Sequence, residues 1–210
     1  GGPAAAAENN VLDRRWLEEF GGLLGLRVND LSEAYDIPRR NLLPYNYPTE
    51  EELRRVGVTG LFLGYYLPWD GIANNLIAQA NGLVTPEYVV EGSMVNYENL
   101  DNHQMGIHDY FKFLKFGFSR ASDIASMHIR RARITRQDGL EIVRKNDGKF
   151  PWSYLRKPLE EILDPLEMSV DEFVKICDKY TNKKIFKCDA GGKLLKDRHG
   201  NLEKVNYDNI

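Results

Sequence analysis

The sequence contains little cysteine, and this scarcity excludes several kinds of protein and site. Cys177 and Cys188 are the two cysteines among 210 residues. Two cysteines cannot build the disulfide framework that holds small secreted domains together, so we expect both thiols to be reduced. They also cannot supply a zinc site made of four cysteines. These numbers favour a protein of the reducing cytoplasm.

Long apolar runs are absent from the sequence as well. No stretch of apolar residues is long enough to cross a bilayer. The first ten residues, GGPAAAAENN, lack the basic and apolar regions of a signal peptide. Because 42% of the residues are hydrophobic and 28% are charged, the composition is that of a soluble globular protein. A chain of 210 residues can bury one core, or one core plus a small appendage.

Several well-known active-site motifs are missing. The sequence has no Walker loop, no dinucleotide-binding glycine pattern, no nucleophile elbow and no metalloprotease helix. It has four histidines. His103 and His108 are five residues apart, which turns their imidazoles to different faces of a helix, so we predict no metal site there. His128 shares a face with small residues, and we interpret it as a buried core histidine.

Positive charge is concentrated in one segment. Between Lys112 and Lys145 there are nine lysines and arginines and three acidic residues, whereas the whole chain has a net charge of −3. A confined basic segment in an acidic chain indicates a local anionic ligand. The same confinement counts against an RNA-binding domain, and we predict no nucleic-acid partner.

Helix signals dominate the local patterns. Capping boxes begin predicted helices after Thr49, Thr135 and Ser169. Apolar spacing also predicts helices over residues 4–20, 105–116 and 159–163, after Asp70, and after Ser119 with Ala132 on its apolar face. Pro158 is predicted at the first helical position of 159–163. Residues 58–67 form a continuous apolar run that predicts a buried strand, and two turn signals in residues 184–210 predict a hairpin-like tail.

Two charged stripes meet where Gly117 separates two predicted helices. His108, Lys112 and Lys115 share one face of the first helix. A second set follows on the next helix: Arg120, Asp123, Arg130 and Arg131. A helix that begins at Ser119 leaves free main-chain amides beside Lys115 and Arg120, and this arrangement predicts a phosphate or pyrophosphate site. The alternative is a solvated basic face in which Asp123 pairs with Arg120 or Arg130.

Two further sets of residues are candidates for contact with a substrate. His108 faces the basic stripe and is a candidate general acid or base, or a donor to phosphate. Tyr66 and Trp69 follow the predicted strand, at the end where α/β proteins bind ligands, and could stack on a base or a sugar. They could equally seal the edge of the core.

The segments GYYLPWD at residues 64–70 and NLDNHQMGIHDYFKFLKFGFSRASDIASMHIRRARITRQDGLEIVRKNDGKFP at residues 99–151 carry a family resemblance. They resemble the C-terminal half of N-acetyl sugar amidotransferases of surface-polysaccharide biosynthesis. The most specific part is KFGFSRASD with the downstream IR, ITR and GLEIVRK. The resemblance covers roughly residues 1–180.

The resemblance implies an ATP pyrophosphatase of the adenine-nucleotide α-hydrolase type, with ATP and magnesium. Adenylation of an acetamido oxygen and attack by ammonia from a glutaminase partner would yield an acetamidino sugar. The implied substrates are pseudaminic-type or diacetamido-uronic sugars, free or nucleotide-linked. The resemblance also favours phosphate or nucleotide contacts from Lys115, Ser119, Arg120, Arg130 and Arg131. His108 or Asp123 would orient the amide.

The implied architecture is α/β and predominantly helical. Residues 1–98 would be the distal part of a Rossmann-like nucleotide domain, residues 99–183 a helical C-terminal region, and residues 184–210 a short β-like tail. The family's Ser-Gly-Gly-x-Asp-Ser pyrophosphate loop is not in this sequence. We therefore expect the isolated chain to be inactive. The alternative function is a non-catalytic module that docks a glutaminase or forms a homodimer.

Overall fold

Helices make up most of the regular structure in residues 10–21 and 25–205, the part of the chain described by a computed structural model. One compact unit ends at Leu76 and a second begins at Ile77. The division predicted at residues 98 and 183 stays a prediction. The predominantly helical α/β class is confirmed, since the strands found in the described residues form one small antiparallel pair.

The first unit begins with a shorter helix than the apolar spacing predicts. Helix α1 starts at Arg14 because the Asp13 carboxylate accepts the Trp16 N–H at 2.7 Å and caps it. Residues 4–9 of the predicted helix lie outside the described residues. The other helices of this unit are α2, Val28–Tyr35, and α3, Glu50–Val56, with 3₁₀ turns at Arg39–Tyr45 and Leu63–Tyr65.

The buried strand predicted over residues 58–67 is wrong. Among the described residues, its one ladder contact is the isolated bridge between Leu61 and Val11, and the chain then turns into the 3₁₀ helix. A strand gains its stability from neighbouring strands. Here the neighbouring chain is the short stretch at Asn10 and Leu12, whose main-chain atoms bond those of Phe62 and Gly60. The apolar side chains of residues 58–67 are therefore largely exposed.

Helix α4, Gly71–Ala80, runs across the boundary at Leu76, and the Asp70 carboxylate caps it as predicted. The second unit then contains the helices α5 (Met105–Phe116), α6 (Arg120–Arg130), α7 (Arg136–Asn146), α8 (Leu159–Leu163) and α9 (Val170–Tyr180). The strands β1 (Ser153–Tyr154) and β2 (Lys157–Pro158) lie between α7 and α8 in the sequence. The two strands pair antiparallel, with Ser153 opposite Pro158. A 3₁₀ turn at Asp164–Leu166 links α8 to α9.

Helix boundaries follow the sequence closely where a local cap defines them. The capping boxes after Thr49, Thr135 and Ser169 all form. Pro158 is the residue before α8 instead of its first residue. Helix α6 ends at Arg130, so Ala132 does not share its face; Ala132 adopts a φ of 54° after the helix.

The core of the second unit lies between α5, α8, α9 and the tail. Its most deeply buried members include Leu114, Leu159 and Leu163. The tail contributes Phe186, which is 1% exposed. The two predicted turns form. Isolated antiparallel bridges flank them and pair Phe186 with Lys204, Cys188 with Leu194 and Lys196 with Leu202. The tail is thus part of the packed core.

Candidate functional site

A carboxylate accepts hydrogen bonds from the main-chain amides that the sequence predicts to be free. The side chain of Asp147 accepts the N–H groups of Ser119 at 2.9 Å and Ala121 at 3.0 Å. It also accepts the hydroxyl of Ser122 at 2.6 Å. Asp147 directly follows α7, and the close packing of α6 on α7 brings it back to the start of α6. The prediction of free amides at this junction is therefore wrong.

Ser119 occupies the N-cap position of α6, but its side chain makes no capping bond. Its hydroxyl instead donates to the main-chain oxygen of Asp109 at 2.7 Å, and the residue is 4% exposed. The predicted role of Ser119 as a helix cap is therefore taken by Asp147. As it stands, the junction does not fit a phosphate, because the negative charge of Asp147 already fills the donor positions.

Arg120 is held by a set of acceptors inside the protein. Asp109 binds it with two parallel hydrogen bonds, Nε to Oδ2 at 2.9 Å and Nη2 to Oδ1 at 3.0 Å. Glu98 lies 3.8 Å from Nη1, and the Asn99 amide oxygen, in its hydrogen-bonding orientation, faces the same guanidinium. Burial opposes the charge, but Asp109 and Glu98 outweigh it and raise the pKa of Arg120. Its donors are therefore largely committed within the chain.

The two charged stripes do meet, and one ion pair joins them. Lys112 of α5 forms an ion pair with Asp123 of α6, in the same way as Asp109 pairs with Arg120. Asp123 therefore pairs with Lys112, not with Arg120 or Arg130 as the alternative interpretation had it. Lys115 lies with its Nζ 5.9 Å from the ring centre of Tyr180.

The remaining two arginines of the predicted phosphate set lie far from the junction. Arg130 ends α6, eleven residues in length, and donates to Ser126 at 2.8 Å. Arg131 follows it. At a rise of 1.5 Å per residue, they lie about 16–18 Å along the helix from Ser119. The structure does not bring Arg130 and Arg131 to the junction, and any ligand role of theirs stays a prediction.

His108 stands beside the same buried carboxylate as Arg120. Its Nδ1 is 3.1 Å from Oδ1 of Asp109, and its side chain is 66% exposed while that of Asp109 is 9% exposed. A solvent-facing imidazole oriented by a buried carboxylate can take up and release a proton. His103 faces a different partner, the main-chain oxygen of Tyr154 at 3.3 Å. His128 is buried, as predicted.

Tyr66 and Trp69 lie in the first unit, on the segment that the sequence predicts as a strand and its end. They are 56% and 67% exposed. Rings so exposed do not seal a core, so the interpretation of these aromatics as a core edge is wrong. Their predicted stacking on a ligand stays a prediction.

A pocket of about 260 Å³ opens beside Asp109 in the second unit. We call it the Trp152 pocket. Its lining combines aromatic, acidic and basic side chains, among them Phe150, Trp152, Tyr154, Glu91, Asp109, Lys145 and Lys149. Trp152 is 51% exposed, and its ring centre lies 4.6 Å from that of Phe150.

Local packing fixes the walls of the Trp152 pocket. Gly106 of α5 lies directly against the Tyr154 ring, where an added Cβ would be 2.7 Å from a ring carbon. The Tyr154 hydroxyl donates to the main-chain oxygen of Asn99 at 3.2 Å. Burial, reinforced by the charge of Asp109, raises the pKa of Tyr154 to about 12. The phenol therefore stays protonated at neutral pH.

Glu91 ties this pocket to the β1–β2 hairpin. Its carboxylate accepts the N–H groups of Leu155 at 3.0 Å and Arg156 at 3.2 Å, and the Ser153 hydroxyl at 3.3 Å. The hairpin turn is thereby held against the segment before α5. A carboxylate and an aromatic face in one pocket suit a ligand with hydroxyl groups and an apolar ring face, and a nearby lysine suits an acidic substituent.

A comparison with protein families gives this geometry a context. The family described as LPS biosynthesis protein WbpG-like, C-terminal domain, matches residues 91–198. The match covers just over half of the 210 residues. The chain belongs to this family. The expected membership in a family of surface-polysaccharide biosynthesis is therefore confirmed, with lipopolysaccharide as the polysaccharide. A comparison with curated proteins found no match.

The WbpG-like domain contains every residue that lines the Trp152 pocket, from Glu91 to Tyr154. Sequence reasoning proposed none of the seven lining residues named above as site residues: Glu91, Asp109, Lys145, Lys149, Phe150, Trp152 and Tyr154. The segment KNDGKFPW at residues 145–152 carried a signal that could have found four of them, because it joins lysines and aromatics around a glycine turn. Nothing local in the sequence marked Glu91 or the capping role of Asp147.

Two general properties complete the description of the WbpG-like chain. In residues 10–21 and 25–205, no helix has both the length and the apolar character that crossing a membrane requires. Within the same residues, no three or more His, Cys, Asp or Glu side chains are grouped so that they could hold a metal ion.

Proposed function

We propose that the chain is part of an ATP-dependent N-acetyl sugar amidotransferase of lipopolysaccharide biosynthesis, and that the Trp152 pocket holds its acetamido sugar. One observation carries the proposal: within the family segment, a single pocket joins a half-exposed tryptophan to carboxylates and lysines. The sequence resemblance supplies the reaction, in which ammonia from a glutaminase replaces the acetamido oxygen. We propose a diacetamido-uronic or pseudaminic-type sugar as the substrate.

Each part of the pocket has a role in this proposal. The Trp152 ring stacks on the apolar face of the sugar, since aromatic faces bind the C–H groups of sugar rings. Glu91 and Asp109, which also hold the hairpin and Arg120, accept sugar hydroxyls through the lone pairs that their internal bonds leave open. Lys145 and Lys149 attract the sugar's carboxylate or the phosphates of a linked nucleotide.

Proton transfer falls to His108 in the same proposal. Ammonia that attacks the activated amide carbon must lose a proton as the new carbon–nitrogen bond forms. His108 binds Asp109 through Nδ1, which leaves Nε2 to take that proton. Asp109, held by Arg120, would orient the imidazole.

ATP would adenylate the acetamido oxygen with release of pyrophosphate, and AMP would leave with that oxygen when ammonia attacks the carbon. We place no ATP phosphate at the start of α6, because Asp147 fills the amides there. Arg120 is likewise committed to Asp109. ATP and magnesium binding therefore depends on parts of the site other than this junction, such as the pyrophosphate loop that the resemblance implies.

Calorimetry tests the sugar site directly. A nucleotide-linked diacetamido-uronic sugar is titrated into the wild-type chain, Trp152→Ala and Trp69→Ala. Loss of one aromatic stacking face should weaken binding about tenfold in Trp152→Ala. The affinity of Trp69→Ala should equal that of wild type. An unchanged affinity in Trp152→Ala would overturn the pocket assignment, and a loss in Trp69→Ala would favour stacking in the first unit.

A genetic experiment tests the reaction in its native setting. The coding sequence is deleted in the source organism and complemented with wild type, His108→Gln or His103→Gln. Mass spectrometry of the surface polysaccharide then distinguishes an acetamidino from an acetamido sugar. We expect the deletion and His108→Gln to leave the acetamido sugar, while wild type and His103→Gln restore the acetamidino group. An unaltered polysaccharide in the deletion strain would refute the amidotransferase function.

The alternative function, a docking module for the glutaminase, is favoured by one further observation. The first unit exposes a run of large apolar side chains that are each at least half exposed: Val56, Val58, Leu61, Leu63, Tyr65, Tyr66, Leu67, Trp69 and Leu76. Large apolar side chains exposed in such number are typical of interaction sites. In the source organism, Leu63→Glu with Leu67→Glu should abolish amidination at limiting ammonium but not at high ammonium. Val84→Glu, at a residue 86% exposed outside this run, is the matched control.

A further inference from the structure

A turn of the tail, Asp197–Asn201, supports the aromatic wall of the Trp152 pocket from outside. The Asn201 side-chain oxygen accepts the main-chain N–H of Phe150 at 2.9 Å. The indole N–H of Trp152 donates to the main-chain oxygen of His199 at 2.9 Å. Both residues of the wall are therefore bonded to one turn, although they are about fifty residues away in sequence.

Asp197 in turn fixes the shape of that turn. Its Oδ1 accepts the N–H groups of His199 at 2.8 Å and Asn201 at 2.9 Å. Its Oδ2 accepts the side-chain amide of Asn201 at 2.8 Å. Because the Asn201 nitrogen is bound to Asp197, its oxygen must face Phe150. Gly200 adopts a φ of 84° and packs against the Phe150 ring, which closes the turn over the wall.

We propose that Asp197 and Asn201 are positioning residues that hold Phe150 and Trp152 in the ligand-binding arrangement of the Trp152 pocket. The proposal rests on the proposed function, in that a sugar is the ligand of this pocket. It assigns a role to the tail, part of which, including Asn201, lies beyond the matched residues 91–198.

The physical reason is the exposure of Trp152. A half-exposed indole on a loop can adopt several rotamers, and ordering it on binding costs affinity. The bond to His199 removes that freedom before the ligand arrives. An anchored ring is preorganised for stacking, so loss of the turn should weaken binding without any change in the residues that contact the sugar.

The tail offers a matched control for the experiment. Its other turn has the same chemistry: Asp189 Oδ1 accepts the N–H groups of Gly191 and Lys193, each at 2.9 Å. Asp189 and its turn do not line the Trp152 pocket. Asp197→Ala and Asp189→Ala therefore each remove one turn-forming carboxylate, and only the first of them should alter the pocket.

Calorimetry with the nucleotide-linked diacetamido-uronic sugar measures the consequence. We expect Asp197→Ala to weaken binding about tenfold, with Asp189→Ala equal to wild type and similar melting temperatures for the two variants. Asp197→Asn keeps both main-chain bonds and should recover part of the affinity. Equal affinities for Asp197→Ala and Asp189→Ala would overturn the proposal.

A second readout decides the proposal even if the sugar does not bind. The indole N–H resonance of Trp152, assigned with Trp152→Phe, should shift and exchange faster with solvent in Asp197→Ala and Asn201→Ala, but not in Asp189→Ala. An unchanged resonance in Asp197→Ala would refute the positioning role. If wild type binds no sugar while the resonance responds as expected, the pocket assignment fails and the positioning of Trp152 stands.

Discussion

The Asp147 carboxylate accepts the main-chain N–H of Ser119 at 2.9 Å, across 28 positions of sequence. This one bond, with its companion to Ala121, turns a predicted anion site into an internally capped helix. The carboxylate lies where a phosphate would bind, so a side chain of the protein takes the place of an external ligand. The start of α6 is thus a structural junction between α6 and the end of α7.

Removal of this cap should destabilise the chain. Asp147→Ala leaves two main-chain amides and the Ser122 hydroxyl without their acceptor. We expect the free energy of unfolding to fall by about 2 kcal/mol in urea denaturation. Asp123→Ala, which removes an exposed carboxylate of α6, should lower the free energy of unfolding by less than about 0.5 kcal/mol. Similar losses in both variants would contradict the capping role.

The same variant should acquire an anion site. In Asp147→Ala, the amides of Ser119 and Ala121 lose their acceptor at a helix start, which is the arrangement that binds phosphate. Inorganic phosphate should therefore raise the melting temperature of Asp147→Ala more than that of wild type, with chloride at equal ionic strength as the control. Equal phosphate effects on both proteins would show that the junction does not bind anions even when it is empty.

The Asp109–Arg120 pair should show strong coupling in a double-mutant cycle. Arg120→Ala leaves the carboxylate of Asp109, whose side chain is 9% exposed, without its main partner. We expect a loss of about 3 kcal/mol, because an unpaired charge remains buried. Adding Asp109→Asn removes that charge. The loss of unfolding free energy in the double variant should therefore be smaller than the sum of the two single losses, by about 1 kcal/mol or more. Additive losses in chemical denaturation would show that the two side chains are independent.

A comparison of two glycines distinguishes steric strain from backbone strain. Gly148 has a φ of 71°, and an added Cβ would lie 2.1 Å from the Phe113 ring; Gly192 has a φ of 80° and nothing within 4 Å. Gly192→Ala should therefore cost about 1 kcal/mol from the backbone alone. Gly148→Ala should cost roughly 2 kcal/mol more, since the core must also shift. Thermal unfolding measures both, and equal losses would show that Phe113 moves aside freely.

Stability should depend on pH through Glu98. Burial raises the pKa of Glu98 above its ordinary 4.5, although Arg120 opposes the shift. With a raised folded-state pKa, the group's contribution is fully present below pH 4.5 and is lost as the pH rises through the folded-state value. Glu98→Gln should therefore be more stable than wild type at neutral pH, by less than about 1 kcal/mol.

The difference between Glu98→Gln and wild type should shrink as the pH falls below 4.5. Melting temperatures across the acid range measure it. Glu141→Gln, at an exposed position on α7, should follow wild type throughout. A Glu98→Gln variant that is less stable than wild type at neutral pH would show that the attraction of Glu98 for Arg120 outweighs its burial.

Local patterns in the sequence predicted local structure well. The three capping boxes, the end of α5 at Gly117 and the two turns of the tail all form where the residue types require them. Each depends on groups a few residues apart, so each can be recognised without the fold. The charged stripes on α5 and α6 were also visible, because helical periodicity places residues on one face.

Long-range pairing could not be predicted from the same patterns. Residues 58–67 have the composition of a buried strand, but a strand forms only if other strands lie beside it. The charged stripes suggested a ligand, but the choice between a ligand and an internal partner depends on which side chains arrive from elsewhere in the chain. In the folded chain, Lys112 pairs with Asp123 and Arg120 pairs with Asp109.

The sequence alone determined the helical character of this protein, its confined basic segment and its resemblance to a family of surface-polysaccharide biosynthesis. The tertiary structure alone decided what the basic segment does at the α5–α6 junction. Asp147 reaches Ser119 because α7 packs back on α6, and Phe150 meets Asn201 because the tail packs into the core. Both contacts join residues distant in sequence, and the packing of apolar faces, not any local signal, sets their distance.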